Sequence, residues 1–517
     1  MTDTASNVRY RSEALSTHRI ARLNVQAMDD PQTGLQRIKA LQRFKAKAIY
    51  FGLLKPRPDA TSMALSRRFL TEQLASVAKA TTMDSPPSDM QQLLSWMHSN
   101  NAAVGKQYRR YLAAREAGGT RRYFPTKSHA LHFLRAVAPT KLVDGAWLYG
   151  LVKQWQDPRY GELIRTYLEE LGEGEPDKNH VVLYRKLLAA NDCVQWEQQA
   201  DSRFVQGAIQ LALAHHAHEF VPEIIGFNLG YEQLPLHLLI CAYELAELGI
   251  DPYYFTLHIT VDNASTGHAA KAVQAVFDAM PQLGDRETFY RRVCNGYRLN
   301  ALGDGTKDII ANFDLEQAMY DLLAAKAEVG ADLHSDYCRI GGKTTAQWLR
   351  EPDQIPGFIK ALEDTGWIRR HEPPENSRFW KLLTGDKAAM FGVFNTYELQ
   401  VIHDWIAGDC ALQQQRHRRF RARQSSNGHA ADAGHRTDDF SSETRLLKDQ
   451  LANAKDDTAA TQLLVQWLSP ALHHTQAGLL ATRMFIARQG LCRQADLPCK
   501  PSTVGKTSRS HGYDRSD

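Results

Sequence analysis

A histidine and an aspartate four residues apart, His258 and Asp262, fall on one face of an α-helix, about 40° apart around its axis. Imidazole and carboxylate on a shared face suit a borderline divalent ion such as iron better than magnesium or calcium. Upstream, Glu170-Leu-Gly-Glu-Gly-Glu-Pro-Asp-Lys-Asn-His180 sets an acid and an imidazole ten residues apart, roughly 80° out of register on a regular helix. Gly172, Gly174 and Pro176 interrupt that regularity and allow both side chains to face one centre. Glu223 stands alone in the apolar run Pro222-Glu-Ile-Ile-Gly226-Phe, where an ionised carboxylate is costly unless paired or bound to metal. His215, Glu219 and Glu223, at i, i+4 and i+8, form a rival ligand set on one helical face. Asp144, within Leu142-Val-Asp-Gly-Ala-Trp147, is another inward-facing carboxylate, either a ligand or a bond to a neighbouring helix end. Taken singly, each group has a plainer reading: Glu170 and Glu173 as a solvated helix end, His258 as a hydrogen-bonded core histidine. Tyr231, Tyr253 and Tyr254 lie nearby, as hydrogen-bond donors or as core aromatics.

Such a centre needs several facing helices to project its ligands inward. Apolar periodicity predicts helices over 36–54, 62–80 and 88–96, with prolines and an Asp-Ser-Pro-Pro stretch as punctuation. It predicts further helices over 130–138, 139–150, 160–171 and 179–190, then a long one from 204 past Pro222 toward Glu232, and another over 236–248 leading into the His258 helix. Beyond Pro281 helices continue over 286–297, 315–329, 358–364 and 397–407. Strand-like alternation is almost absent, so the expected class is all-α. The expected division is 1–124, an N-terminal helical region; 125–285, the core; 286–412, a C-terminal helical region; and 413–517, a linker, short helices and a disordered tail.

A chain of 517 residues, 43% apolar and 23% charged, has the composition of an ordinary globular protein with a large core. No run approaches the roughly 20 apolar residues of a membrane helix, and the N-terminus lacks the apolar stretch of a secretory signal. The seven cysteines are scattered without a CxxC pair, which argues for a reducing, cytoplasmic setting and against a thiolate zinc site. A net charge of +4 argues against bulk polyanion binding. The cluster Arg109, Arg110, Arg115, Arg121 and Arg122 reads as a solvated helix face. Gly341-Gly-Lys-Thr-Thr lacks the first glycine and preceding strand of a phosphate loop, and the helix and Gly-Trp turn over 357–368 are only a fragment of a winged helix.

Three motifs in order, Glu170-Leu-Gly-x-Gly-x-Pro-x-x-x-His180, Pro-Glu223-x-x-Gly-x-x-Leu-x-x-Glu232, and His258-x-x-x-Asp262 with a following histidine, resemble the haem-oxygenase-like di-iron oxidases. Within these the chain is similar to the iron-containing redox enzymes, and Ala138-Pro-Thr-Lys-Leu-Val-Asp-Gly-Ala-Trp-Leu-Tyr149 looks like their roughly 500-residue members. The resemblance implies a haem-oxygenase-like helical bundle with N- and C-terminal helical extensions. It implies ligands Glu170, His180, Glu223, His258, Asp262 and His268, with Asp144 as an extra carboxylate and Glu232 as the alternative to Glu223. The family's last histidine follows the aspartate after two residues, where this chain has Ser265. His268, about 240° round from Asp262 on a regular helix, then reaches the metal only if the turn between them is distorted. The implied cofactor is Fe(2+), two per chain, with O2 as co-substrate, a small organic molecule as substrate, an electron donor as partner, and a homodimer as assembly. Two other readings compete: a helical binding or scaffold protein with an incomplete metal site, and a nucleic-acid role for the Arg-rich segment 416–423, against which the near-neutral charge argues.

Overall fold

The computed structural model describes residues 45–79, 85–261, 267–331, 337, 339–385, 388–410 and 441–491. Asp262 and Ser265, the Arg-rich segment 416–423, the start of the first expected helix up to residue 44, and the tail beyond residue 491 lie outside the described residues. The described chain is mostly helical with almost no strand, as expected from its periodicity, and among its helices none is long and apolar enough to cross a membrane.

Three helices lead in: α1 (Ala46–Leu53), α2 (Ala60–Lys79) and α3 (Leu93–Glu116). The central helices follow: α4 (Lys127–Lys141), α5 (Tyr149–Val152), α6 (Gly161–Glu170), α7 (His180–Ala190), α8 (Val205–His215), α9 (Ala217–Tyr231), α10 (Leu236–Glu247), α11 (Tyr253–Val261), α12 (His268–Asp278) and α13 (Arg286–Arg298). Next come α14 (Thr306–Ala311), α15 (Leu315–Gly330), the two-residue strands β1 (Arg339–Ile340) and β2 (Lys343–Thr344), α16 (Thr345–Leu349), α17 (Ile355–Asp364), α18 (Arg378–Thr384) and α19 (Thr396–Ala407). The C-terminal helices are α20 (Ser442–Ala452), α21 (Asp457–Trp467) and α22 (Gln476–Arg488). β1 and β2 pair antiparallel through Gly341 and Gly342, with φ 57° and 83°. Two consecutive left-handed residues make a tight hairpin turn, so Gly341-Gly-Lys-Thr-Thr closes a hairpin and cradles no phosphate.

Two apolar cores organise the molecule. One joins α1 and α2, the inner faces of α6, α8, α9, α12 and α13, and the C-terminal helices through Leu447, Leu464, Leu468 and Phe485. The other joins α4, α7, α10 and α11 to the helices after residue 306. The chain crosses between them at adjacent residues: Leu142 packs into the second core and Val143 into the first. Asp144 comes next, and the candidate centre lies along this seam.

The expected long helix from 204 onward is instead two. α8 ends at His215, and His216, with φ −113° and ψ 24°, caps it before α9 begins. α9 then packs closely on α13, where a Cβ added at Gly226 would stand 1.8 Å from the Val293 carbonyl oxygen and one at Gly296 would stand 2.0 Å from that of Glu223. Two backbones this near admit only glycine, which explains Gly226 in the motif and ties residues 286–298 to the core helices.

Because neither backbone can withdraw without opening the core, Gly226→Ala is expected to destabilise the fold by about 1–3 kcal/mol, the usual range for overpacking. A lowered midpoint in urea denaturation with an unchanged slope checks this.

Candidate metal centre

Glu170 is the last residue of α6, and His180 the first of α7. Between them Gly172, Glu173 and Gly174 are all left-handed, with φ 64°, 55° and 85°. For Glu173 this conformation costs roughly 1 kcal/mol or more, so the fold must over-determine it. A Cβ on Gly172 would lie 2.3 Å from the Asn179 nitrogen, so the chain folds back on itself as only glycine allows. Asn179 seals the turn: its Oδ1 accepts the Val182 N–H at 3.0 Å, capping α7, and its Nδ2 donates to the Leu171 carbonyl at 3.1 Å. The outcome is His180 Nδ1 at 2.5 Å from Glu170 Oε2.

Asp144 sits on the same carboxylate. It precedes Gly145, whose φ is 76° and where a Cβ would stand 2.8 Å from Glu170 Cβ. His258 on α11 donates from Nδ1 to the Tyr254 carbonyl at 2.8 Å, which leaves Nε2 facing Asp144 Oδ2 at 3.0 Å. A carbonyl can only accept, so Nδ1 carries a proton and Nε2 is the nitrogen turned toward the cluster. Asp144, Glu170, His180 and His258 thus form a fully buried group with ligand atoms within 4.8 Å of one another.

Glu170 also belongs to a second group, with Glu232 and His268. His268 Nδ1 lies 3.1 Å from Glu232 Oε2 and 3.4 Å from Glu170 Oε1. Its Nε2 faces Glu169 Oε2 at 2.8 Å, and Lys271 Nζ binds that carboxylate at 2.8 Å. A carboxylate holding the far nitrogen of an imidazole fixes its orientation and raises its basicity as a ligand. The two oxygens of Glu170 therefore point in different directions, Oε2 to His180 and Oε1 to His268.

Three carboxylates in an apolar seam repel one another, and burial alone would push each toward its neutral form. For Asp144 that effect is outweighed by the Lys141 ammonium and the His180 and His258 imidazoles, which hold its carboxyl well below the usual range. Tyr231 and Tyr254 donate to its two oxygens at 2.8 and 2.5 Å. Glu170 is likewise lowered against burial, chiefly by His180. Burial would lower His180, yet Glu170 beside it holds the imidazole up at about 10. Glu169, also opposed by burial, is drawn down to about 2 by His268 and Lys271. His180 Nδ1, buried and close to two carboxylates, still makes no aligned hydrogen bond. A buried imidazole nitrogen left unbonded between carboxylates fits a place in a cation shell, and three imidazole nitrogens with three carboxylates form an N/O set suited to iron.

Of the residues expected as ligands, Glu170, His180, His258 and His268 come together, and Asp262 lies outside the described residues. Glu223 does not reach either group. It accepts a bidentate pair from Arg292, at 2.6 and 2.7 Å, which accounts for a carboxylate in an apolar run. Glu232, one residue beyond α9, stands in the second group in its place. The set His215, Glu219, Glu223 is not assembled: His215 bonds the Leu53 carbonyl, Glu219 pairs with Arg67, and the break at His216 separates their faces. Tyr231 and Tyr254 are donors to Asp144, whereas Tyr253 is an exposed residue. Glu169 and Lys271 were not foreseen; Lys271 lies one turn from His268, but nothing in the sequence links either to Glu169.

Residues 131–301 match the model of a family described as iron-containing redox enzyme, and that span holds every residue of both groups. The haem-oxygenase-like resemblance is borne out over this segment. No curated protein and no solved structure matches the chain.

The two groups share one carboxylate, so Glu170→Ala is expected to abolish metal uptake at both, and His180→Ala at the first alone. Glu223→Ala should keep full uptake and instead lower stability by about 1 kcal/mol, because the partly exposed Arg292 guanidinium loses its bidentate partner but keeps the Glu219 carbonyl. Metal content by elemental analysis beside thermal melts separates these outcomes.

Proposed function

We propose that the chain is a non-haem di-iron oxidoreductase that uses O2 to oxidise a small organic molecule. The observation that carries this reading is Glu170, one buried carboxylate whose two oxygens face two separate ligand groups. The first group would hold one Fe(2+) through Asp144, Glu170, His180 and His258, and the second another through Glu170, Glu232 and His268. Bound there, a ferrous pair supplies the electrons for reducing dioxygen, coupled to oxidation of a C–H or N–H bond.

The remaining work falls to the protein. Tyr231 and Tyr254 each donate to one Asp144 oxygen, which fixes the rotation of that carboxylate and moderates its charge. Lys141 donates to the Tyr231 hydroxyl at 3.1 Å and lies 4.0 Å from Asp144, so a cation stands at the end of this hydrogen-bonded chain. On the other side Lys271 and Glu169 hold His268. Burial of all six side chains excludes bulk water, which strengthens each electrostatic contact.

The competing reading, a scaffold with an incomplete site, drew on the displaced histidine. His268 lies beside Glu170 and Glu232 and so no longer favours it. Anaerobic loading with ferrous ion should give two irons per chain, and O2 admission should then produce a visible absorption band that apo-protein lacks. Iron-free protein after loading would contradict the proposal.

A further inference from the structure

Three fastenings join the C-terminal helices to the end of α6 and to the chain between Glu170 and His180. Arg483 on α22 donates from Nη1 to the Gly174 carbonyl at 2.5 Å. A Cβ on Gly174 would meet the Leu479 carbonyl oxygen at 2.5 Å and Arg483 Cγ at 2.6 Å, so helix and turn are in direct backbone contact. His473, in the segment between α21 and α22, lies with Nδ1 3.2 Å from Asn179 Nδ2, beside the residue that caps α7. Tyr167, one turn before Glu170 on α6, donates to the Leu468 carbonyl at 2.5 Å. All of these partners lie well beyond the span 131–301 that matches the family model.

We propose that α22 is a built-in clamp on the left-handed turn Gly172-Glu173-Gly174, with Arg483 as the positioning residue that keeps Glu170 and His180 facing one another. Two short-range bonds close the turn from within, Gly174 N–H to the Leu171 carbonyl at 3.2 Å and Glu175 N–H to the Gly172 carbonyl at 2.8 Å, against the strain of a left-handed Glu173. The Gly174 carbonyl takes its partner from outside the turn, and the Arg483 guanidinium supplies a charge-assisted bond to it. Tyr167, Leu168 and Leu171 belong to the same apolar core as Leu464, Leu468 and Phe485, which seats the clamp. Release of the guanidinium would loosen the turn and so the spacing of the two side chains, without touching either of them.

The clamp's consequence for iron rests on the proposed function, but the clamp itself can be tested on metal-free protein. Arg483→Met keeps the aliphatic stem against Gly174 and removes only the guanidinium. In the full chain, amide hydrogen exchange over residues 172–179 is expected to speed up about tenfold in this variant. Exchange in α8 should stay unchanged, showing an intact core, and Arg483→Lys should restore part of the protection. Arg488→Ala, on the same helix but paired outward with Asp457, should have no effect on the turn. After anaerobic ferrous loading, Arg483→Met should bind iron about tenfold more weakly at one site. Wild-type exchange rates over 172–179 in Arg483→Met would overturn the clamp. Absence of iron from the wild type would overturn the proposed function instead, with the exchange result still deciding the clamp.

Discussion

The structure turns on three carboxylates buried together. Asp144, Glu170 and Glu232 meet in the seam between two apolar cores, where a pair of like charges 4 Å apart repels by about 4 kcal/mol even at an effective dielectric of 20. Cations must balance them. Lys141 stands 4.0 Å from Asp144, Lys271 pairs with Glu169 behind His268, and three imidazoles lie among the acids. The broken helices serve this purpose. A continuous α6–α7 helix would turn His180 away from Glu170, and a side chain on Gly145 would push Asp144 off the same carboxylate.

What the sequence made legible was whatever a local rule governs. Helical class followed from apolar periodicity, and the convergence of Glu170 and His180 followed from glycines and a proline placed where a regular helix would have kept them apart. Glu223 pairs with Arg292 on a different helix, and spacing within one segment says nothing about a cation 69 residues away. Burial of a carboxylate signals that a partner exists, not whether it is a metal or a guanidinium. His268 was hard to place for another reason. Its projection from Asp262 assumed one helix, whereas α11 ends at Val261 and α12 starts afresh at His268, so the angle between them carries no information.

The C-terminal helices show the same limit over a longer range. Their amphipathic pattern was readable, but not that Arg483 meets Gly174, more than 300 residues earlier, or that Tyr167 reaches Leu468. A left-handed turn looks self-contained in sequence, because glycine permits the backbone. Permission is not stabilisation: the Gly172 carbonyl is met within the turn by the Glu175 N–H, but the partner of the Gly174 carbonyl comes from the far end of the chain. The centre is thus braced from both sides: Glu169 and Lys271 hold the His268 imidazole, and α22 holds the turn that brings His180 to Glu170.

The central claim is that Glu170 lies between two metal ions. Crystals grown anaerobically with ferrous ion, measured at the iron absorption edge, test it directly. Two anomalous peaks per chain are expected, one among Asp144, Glu170, His180 and His258 and the other among Glu170, Glu232 and His268. No iron at Glu170, or iron bound at Glu223 with His215 and Glu219, would contradict it.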